Sequence, residues 1–170
     1  MVSTTQPVAQ PERRPKAVHR SRPAGFFSRF QAFVLDLIIL GLAELVASSF
    51  TQMVLTFFRF TGLSAALERV VSNTTVDSVL LALFVSSYFI LSWTLVGFTP
   101  GKAILGLKVE QTGGARISFW RALLRFVGYW ISALPLFLGF LWVIWDSDRE
   151  GWHDKIASTR VLYTPKKPHK

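Results

Sequence analysis

Three stretches of this chain are long, apolar and almost free of charge, and few architectures accept that pattern. Phe33–Phe58 holds only Asp36 and Glu44 as charged residues, while Ser78–Gly101 and Phe126–Trp145 hold none. A run of about 20 predominantly apolar residues crosses the roughly 30 Å hydrocarbon core of a bilayer. A water-soluble domain would build its core from amphipathic helices instead. The pattern predicts an all-α polytopic membrane protein with two full transmembrane helices, near 30–58 and 76–98. A third apolar segment, near 120–145, contains Pro135, which removes a backbone donor and breaks or kinks a helix.

Charge placement orients these segments. The first 24 residues read as a disordered, basic tail, with Arg13, Arg14, Lys16, Arg20 and Arg22 against Glu12. With no apolar core of its own, this tail is no cleavable signal, so the first helix would serve as an uncleaved anchor. The loop between the first two helices has only Arg59 and Arg69, whereas the next has Lys102, Lys108, Arg116, Arg121 and Arg125. The positive-inside rule then puts the N-terminus and the second loop in the cytoplasm of a cell whose inner or plasma membrane holds the chain. A basic tail without base-stacking aromatics points to anionic lipid headgroups rather than to nucleic acid. Absence of cysteine excludes disulfides, thiolate zinc sites and cysteine nucleophiles.

Asp36 stands inside the first apolar run, seven residues after Arg29. Seven residues make about two turns, so both side chains share a face about 10 Å apart, too far for direct contact. An aspartate at the centre of a membrane helix costs roughly 2.5–3.5 kcal/mol on insertion scales, so it needs a partner, water or a task. Gly41, Glu44, Ser48 and Gln52 follow at helical spacing. They form either a helix–helix contact or, with Asp36, a hydrated ion path. The outer loop has an amphipathic pattern over Leu63–Val71. Gly97–Lys102 imitates a phosphate loop but has one residue too few and Ala103 where Ser or Thr is required, so nucleotide binding is rejected.

Residues 106–111 alternate apolar and polar, Gly113-Gly114 is a hairpin turn, and residues 116–119 alternate again. Thr159–Tyr163 is a third β-like segment. A lone hairpin is marginal in water, so the expectation is a cytoplasmic hairpin completed as a three-stranded mini-sheet. That sheet requires the third apolar segment to enter and return, splitting at Pro135 and leaving a cytoplasmic C-terminal side. The membrane domain then covers 25–163, followed by a basic tail over 164–170.

Taken together, these residues resemble the RDD family of small integral membrane proteins, named for one arginine and two aspartates. Arg29, Asp36 and Asp154 match those three, and Thr99-Pro100-Gly101-Lys102 followed by Gly106-Leu107-Lys108-Val109 is similar to the family's most recognisable stretch. The match runs from Gly25 to about Tyr163; Ser158 stands where the family usually has glycine. The resemblance implies a membrane protein and, for some members, cation/proton exchange.

Two readings of the triad follow. Arg29, Asp36 and Asp154 form an ion-pair latch tying the C-terminal segment to the first helix, or they line a proton or cation entry point supported by Glu44 and Lys102. The leading function is transport-related, in an oligomer, because a single chain has few helices with which to enclose a path. The rival is an accessory or scaffold protein binding other membrane proteins or anionic lipids. His153 beside Asp154 lacks a nucleophile, a metal or a substrate pocket, so neither an enzyme nor a cofactor or metal site is expected.

Overall fold

The computed structural model describes residues 22–60 and 74–164. The predicted N-terminal tail up to residue 21, the amphipathic pattern at Leu63–Val71 and residues 165–170 lie outside the described residues. Helix α1 is Phe26–Phe60, starting directly after Pro23 and Gly25 have held the chain extended. Its 35 residues reach about 52 Å, well beyond a bilayer's hydrocarbon core, so it tilts or projects. Only Ala32, Asp36, Leu40 and Leu55 are buried, while Leu42, Leu45, Val46, Phe50 and Met53 are exposed. An apolar surface of this extent suits lipid rather than water.

Helix α2, Thr74–Leu91, continues into a π-helical turn, Ser92–Val96, that ends where Gly97 takes the left-handed conformation. Both α1 and the 74–96 unit are long and apolar enough to cross a membrane. Serine and threonine hydroxyls along them donate to carbonyls three or four residues earlier, as Ser48 does to Leu45 and Ser86 to Ala82. Next come a short helix α3, Pro100–Ile104, and strand β1, Leu107–Gln111. Helix α4, Phe119–Ala133, is followed by helix α5, Leu138–Leu141, and a 3-10 turn, Trp142–Ile144. Helix α6, Trp152–Ala157, and strand β2, Thr159–Tyr163, complete the described chain.

The third apolar segment breaks where Pro135 predicted. The axis bends by 110° between α4 and the α5 unit, with Leu136 and Phe137 both in the left-handed region. The chain then returns along α4. Gly128 allows this approach, because a Cβ there would stand 2.8 Å from the His153 Cα. Gly139 does the same against Ser132, at 2.6 Å.

The sheet differs from the expectation. β1 pairs antiparallel with β2, Val109 opposite Val161, and residues 116–119 form no strand. Gly113-Gly114 does turn the chain, and the Gln111 amide donates to Ala115, but the ladder stops there. The other edge of β1 is already taken: the Val109 amide donates to the Gly97 carbonyl at 2.7 Å. Ile117 is buried instead, and α4 begins two residues later. The far edge of β2 receives the chain just before α1, through a bridge between Pro23 and Leu162. Ala24 donates to Val161 at 2.9 Å and Tyr163 to Arg22 at 3.0 Å. The start of α1, the end of α2, β1 and β2 therefore gather at one end of the molecule.

Candidate functional site

Asp36 reaches α2 and the start of α3 from the third turn of α1. The exposed face of α1 is largely apolar, and its inward face brings Ala32 and Asp36 against Gly101. The Asp36 Oδ1 accepts hydrogen bonds from the Tyr88 hydroxyl and the Gly101 amide, each at 2.8 Å. Oδ2 accepts one from the Thr99 hydroxyl at 2.5 Å. The carboxylate is 1% exposed and meets the first turn of α3, where backbone amides lack partners. Pro100 fits the first helical position because it has no amide to satisfy there. Gly101 fits because a Cβ would come 2.3 Å from the Ala32 carbonyl oxygen and 2.8 Å from the Asp36 Cγ. Thr99, Pro100 and Gly101 thus form one socket for one carboxylate.

Asp154 is held in a second socket. It occupies the third position of α6 and accepts the Gly151 amide at 3.1 Å, closing the start of that helix. Arg29 donates to its Oδ2 and Arg125 to its Oδ1, each through Nη1. Arg29 also donates through Nε to the Ala24 carbonyl at 3.0 Å and through Nη2 to the Arg149 carbonyl at 2.6 Å. Arg125 further donates to the Thr159 hydroxyl at 2.6 Å and stacks over Trp93, 5.1 Å from the ring centre. Asp154 itself is fully buried. Burial alone would raise its carboxyl, but Arg125 and Arg29 outweigh burial and hold it well below the usual carboxylate range.

Between the sockets lies Lys102, 4% exposed, with Nζ 5.2 Å from the centre of the Trp93 ring. Burial draws this lysine below its ordinary range. His153 is enclosed by Tyr129 and Phe140, at 4.7 and 4.9 Å between ring centres. Burial pushes it down to about 3, so the ring is neutral at physiological pH. Its Nδ1 lies 3.4 Å from the Ser132 hydroxyl.

The three predicted triad residues do not form one cluster. Arg29 meets Asp154, whereas Asp36 keeps its own partners, as the two-turn separation implied. Glu44 joins neither socket; it is exposed on α1, and the space beside Gly41 is open. Sequence reasoning missed Arg125, which it counted only as a loop charge. The available signal was the spacing of Ala122, Arg125, Gly128 and Ser132, the buried face of α4. It also missed Tyr88 and Thr159, whose hydroxyls complete the two sockets. Among the described residues, no group of three or more His, Cys, Asp or Glu could hold a metal ion.

Known proteins are similar to this chain in sequence. No solved structure matches the chain. The uncharacterized protein YxaI of Bacillus subtilis is 28% identical over 149 residues, covering 84% of this chain and 98% of that one. The uncharacterized membrane protein YteJ of the same organism is 29% identical over 143 residues, covering 82% and 80%. A proline-rich antigen homolog of Mycobacterium tuberculosis is 37% identical over 65 residues, 38% of this chain and 27% of its own. The model of the RDD family matches residues 23–158, a span that contains Asp36, Asp154 and all the apolar segments. That match covers most of the sequence, and this chain belongs to the RDD family.

Proposed function

We propose that this protein is a non-enzymatic accessory protein of the cell membrane, which binds another membrane protein through the outer face of α1. The observation that carries this reading is the division of labour among the acids of the membrane segments. Asp36 has three donors, and Asp154 has two arginines and an amide, so both hold the fold together. Glu44, Ser48 and Gln52 instead face outward from α1, beside the open space at Gly41. A carboxyl group near mid-bilayer does not remain against lipid. A different helix carrying a donor satisfies it, and small residues at 41 and 48 allow close approach. In this reading the N-terminus, the sheet and β2 face the cytoplasm, in keeping with the basic residues around them.

A photo-crosslinking residue in place of Ser48, in native membranes, tests the reading. Adducts to one other membrane protein are expected, and they should weaken when Glu44→Ala is added. Adducts to lipid alone, or to a second copy alone, would refute it.

Cation/proton exchange is the second reading, favoured by one observation: Asp36 and Lys102 both border a cavity that opens between the helices. Reconstituted liposomes decide between the two. Cation-driven pH change that disappears in Asp36→Asn, with assembly intact, supports exchange. Flux equal to that of empty vesicles leaves the accessory role.

A further inference from the structure

The cavity just mentioned has a volume of about 420 Å³ and lies between α1, α2, α4 and α5. That is within the roughly 300–1,000 Å³ of small-molecule sites. Its walls are apolar: Phe30, Phe33 and Leu37 from α1, Phe126 and Trp130 from α4, and Phe137 from the turn after Pro135. Each of Phe30, Leu37, Trp130 and Phe137 is at least half exposed, so the cavity opens sideways along faces that the fold gives to lipid. The floor is different. Arg29, Lys102, Arg125, Asp36 and His153 all border it.

Formal charges at the two sockets are three positive, from Arg29, Lys102 and Arg125, and two negative, from Asp36 and Asp154. The arginines share Asp154, and Asp36 accepts from three neutral donors. Lys102 feels the attraction of Asp36 and Asp154 but makes no ion pair with either. Among the described residues its ammonium has the Trp93 ring and no hydrogen-bond acceptor. A buried cation without an acceptor, bordering an apolar cavity open to the bilayer, calls for an anion attached to a hydrocarbon chain.

We propose that this cavity binds a long-chain fatty acid, its chain along Phe30, Phe33, Phe126 and Trp130 and its carboxylate on Lys102. A fatty acid fits better than a phospholipid on two grounds. The volume accommodates one chain rather than two. Lys102 is 4% exposed, so what reaches it must be as small as a carboxylate. The anion would also offset the burial that draws Lys102 below its ordinary range. This inference is independent of the proposed contact at α1: the cavity borders Phe30, Phe33 and Leu37, whereas the stripe runs through Gly41, Glu44 and Ser48.

The test uses the full chain in nanodiscs of zwitterionic lipid, with dibromostearic acid as probe, since bromine quenches tryptophans that it touches. Saturable quenching by dibromostearic acid is expected, with at least tenfold weaker binding of its methyl ester. Lys102→Gln should weaken binding at least tenfold and Lys102→Arg should restore most of it. Ala133→Phe, which fills the cavity wall away from the charged floor, should abolish saturation while leaving the thermal midpoint near that of the parent. Should Lys102→Gln fail to fold, the ester comparison and Ala133→Phe read the site by themselves. Equal binding of acid and ester, undiminished binding in Ala133→Phe, or quenching by a brominated phosphatidylglycerol alone would overturn the proposal.

Discussion

At the scale of single residues, the two sockets make opposite demands. The Asp36 socket is steric: Gly101 is there because the Ala32 carbonyl leaves no room for a methyl group. Gly101→Ala should therefore destabilise the domain by about 1–3 kcal/mol, the usual penalty for overpacking, or prevent its assembly. Thermal unfolding in detergent, beside Gly113→Ala as a control in open space, measures the difference. The Asp154 socket is electrostatic. Asp154→Asn leaves two arginines against a neutral amide and should cost about 3–5 kcal/mol, as expected when one partner of a buried pair is removed. Charge reversal of both partners is no remedy, because Arg29 and Arg125 approach from different helices and share one carboxylate.

Those residues also explain how much the sequence disclosed. The contact between Arg29 and Asp154 was legible as soon as the C-terminal segment was expected to return, because each needed a counter-charge at the membrane face. The separation of Asp36 from Arg29 was legible from helical rise. Arg125 was not, because a basic residue next to an uncharged run already has an explanation in membrane topology. Such a residue gains a second meaning only when a facing segment supplies the acid.

Among the elements, β1 shows where pattern reading stops. Alternation marks a strand but does not say which neighbour fills its edge. Residues 116–119 alternate and lie after a competent turn, yet the carbonyl of Gly97 occupies the edge they would need. The partner instead lies 52 residues downstream, at Val161 opposite Val109. Pro135 was easier to read, because a missing amide affects its own element whatever packs nearby. Its turn should be sensitive: Gly139→Leu would drive a side chain into Ser132, where even a Cβ would come within 2.6 Å. Loss of the return path is expected, seen as protease cutting between Trp145 and Gly151 in folded preparations. Gly128→Leu should behave similarly, since His153 occupies that space.

Over the whole molecule, the return of the chain puts residues 22–24, 107–119 and 151–163 at one end, beside the start of α1 and the end of α2. Single cysteines in this cysteine-free chain check that arrangement. Ser118→Cys and Ser158→Cys should react with an impermeant maleimide from the same side of the membrane, and Ser72→Cys from the other. Labelling of positions 118 and 158 from opposite sides would mean a third full crossing. Acid should loosen the same end. His153 is driven down to about 3 from an ordinary 6.5, so the unfolded chain binds more protons between these values. Its contribution to stability is complete above pH 6.5 and declines as pH falls towards 3. Asp154, also depressed, adds a loss that begins as pH falls through the ordinary carboxylate range and continues downward. Thermal midpoints measured from pH 8 to pH 4 should fall in acid, and His153→Phe should flatten the upper part of that curve.

The bond between Arg29 and Asp154 joins residues 125 positions apart. In the order of synthesis, an arginine in the first membrane helix therefore waits for its counter-ion until most of the chain has left the ribosome. During that interval α1 is inserted but unlatched, and Arg125 arrives before the acid that it must share. Contacts of such sequence separation form late and slowly. The closing of β2 onto Pro23 then joins the last described strand to the start of α1. A chain cut short before Gly151 would carry two uncompensated arginines at the membrane face and should be cleared quickly in pulse-chase experiments, whereas one ending just after Tyr163 should persist.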